Sequence, residues 1–76
     1  MTQHYHINVF WHEPDKCWIA NVPDLTYCSA HGDTPDEAIA EIQIAMQLWI
    51  EVALELGDIL PEAKYQPEPI LNAKAA

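Results

Sequence analysis

Between His4 and Trp11 the chain alternates two sets of side chains, Tyr5, Ile7, Val9 and Trp11 on one parity and His4, His6, Asn8 and Phe10 on the other. A period of two predicts a β-strand with one face turned to a core. A polar segment containing proline, Glu13-Pro14-Asp15-Lys16, separates it from a second short run, Cys17 to Val22, so the pair reads as a β-hairpin. Pro23-Asp24 closes the second strand, because proline cannot donate to a continuing ladder. Thr26 to His31 supplies a short third strand before Gly32. The pattern then changes period. Thr34 is placed to cap a helix, Pro35 suits its first turn, and Glu37 completes a capping box. That helix runs to about Leu56, where Gly57 takes the left-handed conformation of a C-terminal cap. Ile39, Ile42, Ala45, Met46, Trp49, Ile50, Ala53 and Leu56 fall on one arc, with Glu37, Glu41, Gln43, Gln47, Glu51 and Glu55 mostly on the other. The helix therefore lies on the sheet.

Ile44 and Leu48, one turn apart, break the acidic arc. They are either scattered surface residues or the anchors of a second contact surface. Beyond Gly57, Pro61, Pro67 and Pro69 forbid a long helix. This stretch reads as an extended arm docking on this sheet or on a neighbour's, with Tyr65, Ile70 and Leu71 as its contacts, and as a frayed terminus from about Asn72. The expected architecture is one α+β domain over residues 1–71, a small antiparallel sheet with one long helix packed on one face, and a tail over 72–76.

Charge narrows the function. Twelve Asp and Glu stand against three lysines and no arginine, for a net charge of -9. Neutralising a phosphate backbone depends on Lys and Arg, so neither nucleic acid nor an anionic membrane surface is an expected partner. A basic protein is. At 76 residues the core is small, and self-association is the usual supplement. No secretion signal and no membrane-spanning run is recognised, which places the protein in the cytoplasm with Cys17 and Cys28 reduced.

The residues offer little chemistry. A two-metal hydrolase needs carboxylates converging from rigid elements, whereas the two clear strands hold none. Ser29, Cys28 and His31 are too close in sequence for a triad and lack a glycine-rich elbow. His4 and His6 project from one strand face about 7 Å apart, and His12 shares their parity if the strand continues, so the alternative is a solitary homo-oligomeric domain binding zinc, nickel or a small ligand there. Against it stands the plainer account, in which these histidines form a half-exposed outer strand face. No enzyme and no cofactor is expected.

Pro23-Asp24-Leu25-Thr26-Tyr27-Cys28, then Gly32-Asp33-Thr34-Pro35-Asp36-Glu37-Ala38, Leu48-Trp49-Ile50-Glu51 and the glycine and proline of Gly57 to Pro61 resemble the linked motifs of HicB-like antitoxins. The resemblance spans roughly Tyr5 to Pro69; Asp36 stands where the family more often has Glu. It implies a partial ribonuclease-H-like β-β-β-α-β fold without the nuclease residues. It also implies a partner, a small basic HicA-like ribonuclease toxin whose surface the antitoxin covers. Many family members add a DNA-binding module; none is expected in the stretch after Gly57, which three prolines punctuate. The partner-contact residues expected are Ile44, Leu48 and Glu51 on the helix and Tyr65, Ile70 and Leu71 on the arm.

Overall fold

A computed structural model describes residues 4–66. Three strands, β1 (Asn8–His12), β2 (Cys17–Asn21) and β3 (Ser29–Gly32), form an antiparallel sheet in the order β1-β2-β3, followed by one helix, α1 (Pro35–Glu55). The expected α+β arrangement is present: an open sheet with a single long helix on one face. The closing strand of the β-β-β-α-β order is not seen in residues 58–66, which carry no regular structure; Ile70, Leu71 and the 72–76 tail lie outside the described residues.

The two strand parities separate as the alternation predicts. Val9 pairs with Ala20, which pairs with Ala30, and this row faces α1; Tyr5, Ile7 and Trp18 pack with it. Phe10, Ile19 and His31 form the neighbouring row on the opposite face, beside Asn8 and Asn21, whose side chains hydrogen-bond at 3.1 Å. Strand β1 begins four residues later than the alternation suggests, at Asn8. The third strand is also shorter, because Tyr27 adopts φ 61°. That left-handed residue belongs to a turn, so pairing starts at Ser29 rather than Thr26.

Helix α1 starts and stops where its signals lie. Thr34 Oγ1 accepts from Glu37 N–H at 3.1 Å, and the Glu37 carboxylate accepts from Asp33 N–H at 2.8 Å. The reciprocal bond thus reaches one residue before the cap. At the far end Gly57, at φ 79°, donates to Leu54 O, and Asp58 donates to Ala53 O, a Schellman ending. Thr34→Ala is expected to cost about 1 kcal/mol by orphaning the Glu37 amide, read as a lower urea midpoint at unchanged slope.

The core comprises Tyr5, Ala20, Val22, Leu25, Cys28, Ala38 and Ile42, with Ala45, Met46, Trp49 and Ile50 partly buried around it. Ala53 is buried farther along α1. Six of the eight helix residues expected inside are there. Ile39 and Leu56 are not: both are exposed. Ala38 takes the buried place at the helix start, and Leu56 has passed the last position the sheet can cover. Cys17 is partly buried and Cys28 buried, neither in a disulfide, and burial raises the Cys28 thiol pKa.

Candidate partner-binding face

Helix positions four apart share a face, and 44, 48, 52 and 56 make one line. Ile44, Leu48, Val52 and Leu56 are each more than half exposed. The two residues singled out from sequence are thus half of a longer apolar line. Val52 was hidden among the acids of the arc, and Leu56 was assigned to the core side by an idealised wheel. Leu54, also exposed, belongs to another side of the helix. Glu51 sits beside the line, three residues after Leu48, and its carboxylate accepts from Gln47 Nε2 at 3.2 Å.

This side of α1 overlooks β3, an edge strand of the sheet. An open hollow lies between them, and its acidic end is lined by Asp33, Glu37 and Glu41 together with Ile44 and Leu48. A second hollow continues it toward the end of α1, where Tyr27, Val52 and Leu56 join Leu48. Tyr27 is 99% exposed despite its left-handed backbone. An aromatic held outward on a strained turn beside an apolar line is a good contact residue. Its position in the Thr26 to His31 run disguised it as a strand residue. Neither described lysine lines these hollows, and both the Lys16–Glu13 ion pair and the His12–Asp15 contact lie in the hairpin. The carboxylates of the hollow therefore have no lysine partner among the described residues, although His31 lines the hollow beside them. Glu13 differs: hydrogen bonds from Lys16 and then Trp11 hold its pKa below the ordinary value.

Tyr65 stands elsewhere. Its ring lies 4.9 Å from that of His6, its backbone N–H donates to the Asp24 carboxylate at 3.0 Å, and it lines neither hollow. Nearby, Tyr5 donates its hydroxyl to Pro61 O, and its pKa is raised by burial and then by the Asp24 charge. The arm thus docks on its own domain as far as Tyr65. Ile44, Leu48 and Glu51 come together on α1, and Tyr65 does not join them.

The histidines considered as metal ligands are dispersed among other partners. His4 is exposed, the His6 Nε2 lies 2.7 Å from Asn8 Oδ1, and the His12 Nδ1 lies 3.2 Å from Asp15. Among the described residues no group of three or more His, Cys, Asp or Glu is arranged to hold a metal ion. No described helix is long and apolar enough to cross a membrane.

A long exposed apolar line, running beside a strand edge that no described residue pairs and beside carboxylates without a described lysine partner, has the character of a protein-binding surface. The family model of the HicB-like antitoxin of bacterial toxin–antitoxin systems matches residues 5–73, and the chain belongs to that family. It is also 32% identical over 59 residues to the UPF0150 protein ssl0259 of Synechocystis sp., a match covering 78% of this chain and 81% of that one. No solved structure matches it.

Proposed function

We propose that this antitoxin neutralises a small basic HicA-like ribonuclease toxin by covering the surface on which the toxin binds RNA, with no catalysis of its own. The observation that carries this reading is the acidity of the hollow beside the exposed line of α1, whose carboxylates have no lysine partner among the described residues. Asp33, Glu37 and Glu41 supply negative charge where a toxin expects phosphate, and Ile44 and Leu48 supply desolvated contact. The β-β-β-α order fits a partial ribonuclease-H-like unit that has lost its acids from the strands. We place the protein in the cytoplasm, where its thiols stay reduced, and as a homo-oligomer, since a core of this size gains from self-association.

The test is an RNA-cleavage assay with a purified HicA-like toxin, sought as a short basic protein in the adjacent reading frame. Cleavage should cease near one equivalent of the wild-type chain and return with Glu41→Lys combined with Leu48→Asp. Undiminished cleavage at a tenfold excess of wild type sinks this reading.

A further inference from the structure

The register of strand β3 shows which of its backbone groups no described residue pairs. Val22 N–H donates to Cys28 O at 3.0 Å, and Val22 and Cys28 continue the register that pairs Ala20 with Ala30 and Trp18 with Gly32. Hydrogen-bonded and non-hydrogen-bonded pairs alternate along an antiparallel ladder. Ala30 and Gly32 therefore exchange bonds with β2, while the N–H and C=O groups of Ser29 and His31 point away from it, along an edge that is open among the described residues. Proteins blunt such edges with lysine, proline or a bulge. Ser29-Ala30-His31-Gly32 carries no lysine or proline and pairs in unbroken register.

The same edge borders the hollow floored by Ile44 and Leu48 and flanked by Asp33, Glu37 and Glu41. We infer that a basic extended segment of the toxin adds to β3 as a fourth strand. Its main chain pairs with Ser29 and His31, one side chain seats on Ile44 and Leu48, and its Lys or Arg residues meet the three carboxylates. This rests on the antitoxin reading above and adds the mode and place of contact. Charge selects the occupant. A second copy would bring its own Asp33, Glu37 and Glu41 against these, like charges across a shared edge, whereas a cationic strand neutralises them.

Main-chain recognition makes an unusual forecast: deleting a side chain is harmless and deleting an amide hydrogen is not. Affinity for the purified HicA-like toxin would be measured by calorimetry with wild type, His31→Ala, His31→Pro, and a chain N-methylated at His31, made by joining peptides at Cys17 and Cys28. His31→Ala should bind within about twofold of wild type. His31→Pro and the N-methyl chain should lose about tenfold or more, since each removes an outward donor and obstructs the edge. Leu48→Asp, on the exposed helix surface, should lose a similar factor and does not depend on the strand remaining intact. Far-UV circular dichroism verifies the fold of each. N-methyl and Leu48→Asp chains that bind like wild type overturn strand addition while leaving the antitoxin reading standing. Absence of wild-type binding overturns both. A wild-type dimer that the N-methyl group splits without toxin assigns the edge to a second copy and also overturns the proposal.

Discussion

Ile42→Ala is expected to leave the chain only marginally folded at room temperature. Ile42 has no solvent exposure and joins α1 to the strand residues beneath it. Truncating a buried isoleucine costs about 2–5 kcal/mol, the transfer term plus the cavity left behind. A single core in a chain of this length supplies only about 3–5 kcal/mol in total. Loss of one side chain therefore consumes most of the margin. Ile44→Ala, two residues along on the exposed line, should change stability by about 0.5 kcal/mol or less. Urea titration of the two variants beside wild type decides it. Equal midpoints for Ile42→Ala and Ile44→Ala would mean that α1 does not rest on the sheet through Ile42.

Gly32→Ala should destabilise by about 1–3 kcal/mol or more, through overpacking rather than backbone strain. A Cβ at Gly32 would sit 2.7 Å from Ala38 N, 2.7 Å from Glu37 Cβ and 2.9 Å from Glu37 C. Two of these three are backbone atoms of the first helical turn and cannot swing aside. The first turn of α1 thus lies directly on the end of β3, and only a residue without a side chain allows that approach. Ala38→Gly should fail to rescue the variant, since the obstruction is the Ala38 amide and not its methyl. Gly57→Ala offers the opposite case: nothing lies within 4 Å of its Cβ position, and the cost is that of a left-handed alanine, about 1 kcal/mol. Thermal unfolding of Gly32→Ala, alone and with Ala38→Gly, measures the difference. A Gly32→Ala midpoint indistinguishable from wild type would show that the helix start can lift from the strand at no cost.

Much of this organisation is legible in the chain because local rules and tertiary packing agree there. Thr34, Pro35, Glu37 and Gly57 bracket α1 through capping chemistry that needs no partner, and the alternation of Tyr5, Ile7 and Val9 against His6 and Asn8 assigns the sheet faces. Discrepancies arise where long-range contact decides. Leu25, among the largest fully buried side chains, sits in a proline-containing turn with no periodicity to mark it. Tyr27 has a strand-forming side chain, yet its backbone closes the turn that brings Cys28 back to Val22. Ile44 and Leu48 are recognisable as intruders in an acidic arc; the extension to Val52 and Leu56 depends on how far the sheet reaches along the helix. The openness of the β3 edge is a property of three strands together, beyond what any one segment encodes.

The clasp between Tyr5 and Pro61 joins residues 56 positions apart, whereas the hairpin and α1 are built from near neighbours. Closing so large a loop costs entropy that only the finished core repays. The segments around Tyr5 and Pro61 should consequently lock last during folding, after the helix has already settled, and let go first when the molecule is pulled or warmed.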